Sequence, residues 1–199
     1  MSGAAGVAIV LASTSRYRRE LLGRLVDDFR CIAPDVDETP GPGEAPIALA
    51  ARLASAKAAS VARDNPGALV IGSDQVADLD GRVIGKPGSE AAAVAQLAAA
   101  SGRELVFHTA LCVLDTRADA VSASLWSDTT RVRFRVLDAT TIERYVRTER
   151  PLDCAGSFKA EGRGIALFER IESEDPTALI GLPLIALVRL LREAGLEVP

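Results

Sequence analysis

The stretch VAIVLASTSRYRRELL, residues 7–22, decides the fold, because a buried strand turns directly into a helix within it. Six consecutive apolar residues predict a strand that is covered on both faces of a sheet. The apolar spacing becomes helical at Leu21 and Leu22. Ser13, Thr14 and Ser15 stand at the junction, where the first N–H groups of a helix lack backbone partners. The stretch therefore predicts an α/β protein with a polar junction at one strand end.

Three arginines, Arg16, Arg18 and Arg19, occupy the first turn of that helix. Cations at a helix N-terminus oppose the helix dipole, so the arrangement favours a bound anion. Phosphate is the anion that guanidinium groups match best. The alternative is that the arginines are solvated and the serines only cap the helix, as serines often do. Both interpretations stand for this stretch taken alone.

Length and composition exclude several classes of protein. A chain of 199 residues is long enough for one domain, residues 1–199, with a sizeable core. The net charge of −4 argues against sequence-independent binding of nucleic acid. No apolar run is long enough to span a bilayer, and the first residues do not resemble a signal peptide. We expect a cytoplasmic protein with neither a nucleic-acid nor a membrane partner.

Three scattered cysteines support a reducing compartment. Cys31, Cys112 and Cys154 form no C-x-x-C pair, and their number is odd. We interpret them as buried, inert thiols of a cytoplasmic protein. His108, the single histidine, lies in an apolar strand and is interpreted as structural or as lying at the edge of the cleft, rather than as catalytic.

The remaining pattern alternates helices with strands and predicts a mixed α/β class. Asp80-Gly81 between two short strand patterns is a strong hairpin signal. Predicted helices cover Pro46 to about Asn65, Ser89 to Ala100, Asp138 to about Arg147, and Pro183 to Ala194. Predicted strands cover Ala68 to Gly72, Glu104 to Leu114, Ala123 to Val136, and Ile165 to Glu169.

A second polar segment, Ser73-Asp74-Gln75, follows the predicted strand that ends at Gly72. Ligands of α/β sheets bind at the carboxyl ends of strands, and the hairpin could return Lys86 to that point. A carboxylate and an amine placed together suit metal-assisted attack on a phosphoanhydride. The alternative is an aspartate in a turn and an ordinary surface lysine.

Six motifs occur in order and together resemble one family. They are LASTSRYRR (11–19), the Asp37-Glu38-Thr39 loop, Lys57, SDQ (73–75), GKP (85–87) and AGSFKAEG (155–162). The chain resembles the Maf family of nucleoside-triphosphate pyrophosphatases from Val7 to about Gly195. DQV (74–76), SFKAEG (157–162) and LIGLPL (179–184) resemble the branch of this family that acts on 7-methyl-GTP.

The resemblance implies a fold like that of the inosine triphosphate pyrophosphatases, with a central twisted mixed sheet, flanking helices and two lobes around a cleft. It also implies a house-cleaning hydrolase that releases pyrophosphate and keeps modified nucleotides out of nucleic acids. The cofactor implied is a divalent cation, Mg²⁺ or Mn²⁺. The sequence leaves the oligomeric state open, with a homodimer as one alternative.

The resemblance also implies roles for individual residues. Asp74 would accept a proton from water or bind the metal, and Glu38 would help to bind the metal. The phosphate-binding residues would be Ser13, Arg18, Arg19, Lys57 and Lys86. The residues that set base specificity would be Tyr17, Gln75 and Glu161.

The three base-specificity residues suit a methylated guanine. An aromatic face such as that of Tyr17 attracts the positive charge of 7-methylguanine. Glu161 can accept hydrogen bonds from the N1 and N2 donors of guanine, and Gln75 offers both a donor and an acceptor. Two alternatives remain: a pyrophosphatase for dTTP, UTP or other nucleotides, and a nucleotide-binding cell-division regulator without turnover. Arg16 departs from the family, which commonly has proline there, and restores a backbone N–H.

Overall fold

A computed structural model describes residues 6–118 and 120–198. Seven strands in this part of the chain form one mixed sheet in the order β2-β1-β3-β5-β6-β7, and β4 pairs with β3. The strands are β1 Ala8–Ala12, β2 Arg30–Ile32, β3 Ala68–Leu79, β4 Arg82–Ile84, β5 Glu104–Asp115, β6 Ser122–Phe134 and β7 Phe168–Glu172. The helices are α1 Arg16–Leu22, α2 Pro46–Ala62, α3 Glu90–Ala100, α4 Ala139–Glu149 and α5 Leu184–Glu193. The predicted mixed α/β class is confirmed.

Strand β1 is apolar along its whole length, and helices cover both of its faces. Val10 and Ala12 pack with the buried residues of α2, whereas Ile9 and Leu11 pack with those of α1 and α5. β1 pairs in parallel with β2 and β3, while β3, β5, β6 and β7 pair antiparallel. The parallel part of the sheet therefore has the double cover that such sheets require.

A second hydrophobic core packs against the C-terminal half of β3, the start of β5 and the end of β6. Its centre is a cluster of four aromatic rings in edge-to-face contact, with centroids 4.7–5.7 Å apart. These rings belong to Phe107, Phe134, Phe158 and Phe168. Helices α3 and α4 complete this core, and it supports one wall of the cleft described below.

Strand β3 is longer than the pattern predicts. The predicted strand ends at Gly72, but β3 continues through Ser73-Asp74-Gln75 to Leu79. The continuous antiparallel ladder with β5, from Leu69 opposite Asp115 to Asp78 opposite Val106, carries the chain through this polar segment. The placement of Asp74 at a strand end is therefore wrong for β3 itself. Asp74 does lie beyond the end of the parallel neighbour β1, whose last pair with β3 joins Leu11 and Ile71.

Two further predictions need correction. The strand predicted at Ile165–Glu169 lies later, at Phe168–Glu172, because residues 163–167 form a 3₁₀ helix that buries Leu167 and exposes Ile165. Of the cysteines, only Cys112 is buried; Cys31 and Cys154 are half-buried. The Asp80-Gly81 hairpin and the Asp138 cap of α4 are confirmed. No helix within residues 6–118 and 120–198 is long and apolar enough to cross a membrane.

Candidate active site

A cleft of about 780 Å³ opens beyond the end of β1. Buried residues of α2 line one part of it, and two of the four clustered aromatic rings line another. Its lining includes every predicted site residue except Arg19. The residues brought together are Ser13, Tyr17, Arg18, Glu38, Lys57, Asp74, Gln75, Lys86 and Glu161. They come from the β1–α1 junction, the loop before α2, α2 itself, β3, the segment after β4, and the loop before β7.

The β1–α1 junction forms one end of the cleft. Ser13 is buried, and its Oγ accepts a hydrogen bond from the backbone N–H of Ser15 at 3.1 Å. Ser15 caps α1, since its Oγ accepts from the N–H of Arg18 at 3.4 Å. Arg18 donates from Nε to the carbonyl of Gly181 at 2.8 Å, which fixes the guanidinium at the cleft wall. Burial lowers the pKa of Arg18, although the carboxylates of Asp74 and Glu38 oppose that shift.

Arg19 is the one predicted site residue that the structure does not bring to the cleft. Successive residues of a helix point about 100° apart, so Arg18 and Arg19 face different directions. Arg19 is exposed and donates from Nε to the Sγ of Cys31 at 3.4 Å. Its role in phosphate binding stays a prediction.

Lys57 of α2 joins two carboxylates at the floor of the cleft. Its Nζ lies 2.5 Å from Oδ1 of Asp74 and 2.6 Å from Oε1 of Glu38. Lys57 and Asp74 are both buried, whereas Glu38 is exposed. Burial works against the ionisation of Glu38, but the hydrogen bond and charge of Lys57, with Lys86 and Arg18, lower the pKa of its carboxyl. The cleft therefore combines acceptor oxygens with several fixed cations.

The carboxylates of Glu38 and Asp74 fit a divalent cation such as Mg²⁺, which needs few protein ligands. Mg²⁺ is usually bound by one or two carboxylates, water and substrate phosphates rather than by a complete protein cage. Among the described residues, no group of three or more His, Cys, Asp or Glu side chains is placed to hold a metal. Glu38 and Asp74 thus suit a cation that arrives with a nucleotide.

Tyr17, on the first turn of α1, also lines the cleft and is held from two sides. Its hydroxyl accepts a hydrogen bond from Nη2 of Arg16 at 2.9 Å and lies 3.8 Å from Sγ of Cys154. The guanidinium carbon of Arg16 lies 4.7 Å from the centre of the Tyr17 ring. Burial raises the pKa of Tyr17 to about 12, so the phenol is neutral at physiological pH. A neutral, oriented aromatic ring is suited to contact a base.

The side-chain N–H donors of Gln75 are already bound to other groups of the protein. Its Nε2 donates to the carbonyls of Ala178 and Leu179, at 2.9 and 3.1 Å, and to Oγ1 of Thr109 at 3.0 Å. An amide has only two N–H donors, and these partners use both. Only its Oε1, an acceptor, is left for a ligand, rather than the donor and acceptor expected.

Sequence reasoning missed the structural role of residues 178–181. Besides the two carbonyls that bind Gln75, the carbonyl of Gly181 accepts from Arg18 and from Oγ of Ser73 at 2.9 Å. No pattern in a backbone segment predicts which side chains its carbonyls will bind. Cys154 also lines the cleft, and its position just before the AGSFKAEG motif was the available signal. His108 lies outside the cleft, 3.6 Å from Asp78.

Comparison with known proteins identifies the relatives of this chain. The model of a family described as "Maf-like protein" matches residues 8–194. A "7-methyl-GTP pyrophosphatase" of Xanthomonas oryzae pv. oryzae is 58% identical over 191 residues, which cover 96% of this chain and 98% of the relative. A protein of the same name from Burkholderia pseudomallei is 57% identical, with coverage of 94% and 87%.

One solved structure supports the fold. The Staphylococcus aureus Ham1 protein has a TM-score of 0.51 and 17% sequence identity, with coverage of 94% of this chain and 99% of that one. At this identity the likeness concerns the fold alone.

Proposed function

The chain belongs to the Maf family, and we propose that it hydrolyses 7-methyl-GTP to 7-methyl-GMP and pyrophosphate. The observation that carries this is the cleft, where the Asp74–Lys57–Glu38 cluster shares one lining with Ser13, Arg18 and Tyr17. The high identity to relatives named for this activity supports it. We place the activity in the cytoplasm, since Cys31, Cys112 and Cys154 are free thiols, which are typical of a reducing compartment.

The triphosphate lies along the cationic side of the cleft in this proposal. Ser13 at the β1–α1 junction binds one phosphate, and Arg18 contacts it from the helix. Lys86 and Lys57 neutralise charge on the other phosphates. Arg19 does not line the cleft, so its proposed phosphate contact requires its side chain to turn from Cys31 towards the triphosphate.

Hydrolysis requires a base, a positioned water molecule and charge neutralisation. Asp74 accepts the proton of the attacking water, and the water oxygen bonds to a phosphorus of the α–β anhydride. The bond from that phosphorus to the bridging oxygen breaks, which releases 7-methyl-GMP and pyrophosphate. Lys57 holds the Asp74 carboxylate in place through Nζ. A divalent cation, Mg²⁺ or Mn²⁺, bound through Glu38 and Asp74, would supply Lewis-acid polarisation of a phosphoryl oxygen.

Base recognition is assigned to Tyr17, Gln75 and Glu161, which line the same cleft. The ring of Tyr17 attracts the cationic 7-methylguanine by about 0.5–2 kcal/mol. The carboxylate of Glu161 accepts hydrogen bonds from N1–H and N2–H, and Oε1 of Gln75 adds a further acceptor. A pyrimidine has neither the positive ring nor this donor edge.

The direct test is pyrophosphate release from a panel of nucleotides, with Mg²⁺ and with a chelator. The panel contains 7-methyl-GTP, GTP, dTTP, UTP and ITP. We expect 7-methyl-GTP to have the highest kcat/KM and the chelator to abolish release. Preferential release from dTTP or UTP would contradict the base assignment but retain the phosphate site.

A specificity change is expected from the double substitution Glu161→Gln with Gln75→Thr. Loss of charge-assisted hydrogen bonds costs about 1.5–3 kcal/mol, so the ratio of kcat/KM for 7-methyl-GTP to that for UTP should fall about 10- to 100-fold. Competition between the two substrates in one reaction measures this ratio directly. Glu143→Gln, an exposed change on α4, is the matched control and should leave it unchanged. An unchanged ratio in the double variant would refute these contacts.

A further inference from the structure

A second cavity, of about 350 Å³, adjoins the cleft at Glu161. Ala160, Glu161, Leu179 and Ile180 line both spaces, so the two meet where the base edge is proposed to bind. Nothing in the proposed reaction with 7-methyl-GTP uses this second space.

The lining of the second cavity favours an uncharged, apolar group. Ile171, Pro176 and Leu179 supply apolar surface. The hydroxyl of Ser173, which also lines this cavity, already donates to the carbonyl of Asp175 at 2.7 Å and lies 2.9 Å from Oγ1 of Thr130. The Glu161 carboxylate repels phosphates and other anions. The occupant must therefore be apolar and attached to something that Glu161 itself recognises.

The size of the space is sufficient for a ring. An apolar cavity of about 150 Å³ holds a benzene molecule, and this cavity is larger. Binding there removes apolar surface from water, which is worth about a fourfold gain in affinity for each buried CH₂ group.

The chemistry of guanine selects the position of attachment. Glu161 accepts from N1–H and N2–H in the proposed complex, and N7 lies on the opposite edge of the purine. A group that enters the second cavity beside Glu161 is therefore attached to N2. A singly substituted N2 keeps one N–H, so its hydrogen bond to Glu161 can persist.

We propose that the second cavity is a subsite for an alkyl or aryl group on N2 of the base, which extends the substrate class to N2-monosubstituted 7-methylguanosine triphosphates. This inference rests on the proposed function, because the orientation of the base depends on it. Its substrates would be bulky, doubly modified nucleotides that a closed base pocket would reject.

The test compares 7-methyl-GTP with N2-benzyl-7-methyl-GTP on the wild-type protein and on Ile171→Trp. Ile171 lines only the second cavity, and it is partly exposed on the last strand of the sheet, so a larger side chain can be accommodated. We expect the wild type to hydrolyse the benzyl nucleotide with a kcat/KM at or above that of 7-methyl-GTP. Ile171→Trp should lower the value for the benzyl nucleotide at least tenfold and leave 7-methyl-GTP unchanged.

Controls separate this proposal from the activity on which it rests. Val136→Trp places the same side chain at an exposed position that lines neither cavity, and should change neither substrate. Ile171→Phe replaces the Trp variant if that protein does not fold. Hydrolysis of 7-methyl-GTP with rejection of the benzyl nucleotide by the wild type would overturn the subsite, as would equal use of both nucleotides by Ile171→Trp.

A binding measurement covers the case in which 7-methyl-GTP is not hydrolysed and the proposed function fails. Calorimetry compares 7-methyl-GMP with its N2-benzyl derivative on the same proteins. Tighter binding of the benzyl compound that is lost in Ile171→Trp supports the subsite, whereas equal or weaker binding to the wild type overturns it.

Discussion

Asp74→Asn is expected to lower kcat for 7-methyl-GTP by about 10³-fold, because general-base catalysis contributes about 10²- to 10⁴-fold and asparagine cannot accept the proton of water. The substitution keeps the shape of the side chain, so Lys57 retains an oxygen acceptor at the same place. KM should change much less than kcat, since the phosphates are bound mainly by cationic groups. Steady-state measurement of pyrophosphate release at saturating substrate gives both constants.

The matched control for this variant lies on the same strand. Asp78→Asn is the same chemical change four residues further along β3, outside the cleft, and should leave kcat within about twofold of the wild type. If Asp74→Asn retains a tenth or more of the wild-type kcat, Asp74 is not the proton acceptor. The variant also separates catalysis from regulation, because a nucleotide-binding regulator would keep its cellular effect without turnover.

Gly72→Ala is expected to destabilise the protein by about 3 kcal/mol or more, the upper range for overpacking of a core. A methyl group at residue 72 would meet the backbone of α2, with the carbonyl oxygen of Ala54 and the nitrogen of Ala58 as its nearest neighbours. Backbone atoms of a buried helix cannot move aside as the end of a flexible side chain can. Urea denaturation followed by circular dichroism measures the change in the free energy of unfolding.

Gly85→Ala provides the corresponding control, because a methyl group at residue 85 meets no atom within 4 Å. It should change the free energy of unfolding by less than about 0.5 kcal/mol. A Gly72→Ala protein as stable as the control would show that α2 can withdraw from the sheet.

The close approach at Gly72 also serves the active site. Ala54, Ala58 and Gly72 are small, so α2 packs directly against β3. This approach brings Lys57 of the helix within hydrogen-bond distance of Asp74 on the strand. We therefore expect any folded Gly72→Ala protein to lose activity as well as stability.

Local features of the chain were predictable because they depend on neighbouring residues. The apolar run before Ser13 predicted β1, and Asp80-Gly81 predicted a hairpin that the structure confirms, with both residues at positive φ. Asp138 predicted the start of α4 through its side-chain cap. The end of β3 was not predictable in this way, since its ladder with β5 extends it through polar residues.

The sequence by itself determined the fold class and the family, and it supplied the candidate residues at the β1–α1 junction and on β3. Hydrophobic periodicity, capping and ordered motifs are properties of short segments, so they can be recognised without knowing how the segments pack. Only the tertiary structure decided that Lys57 joins Asp74 to Glu38, that Arg18 and not Arg19 lines the cleft, and that the donors of Gln75 are used by residues 178 and 179. Those contacts join segments far apart in the chain, so they depend on which helix packs on which strand and on the direction in which each side chain then points.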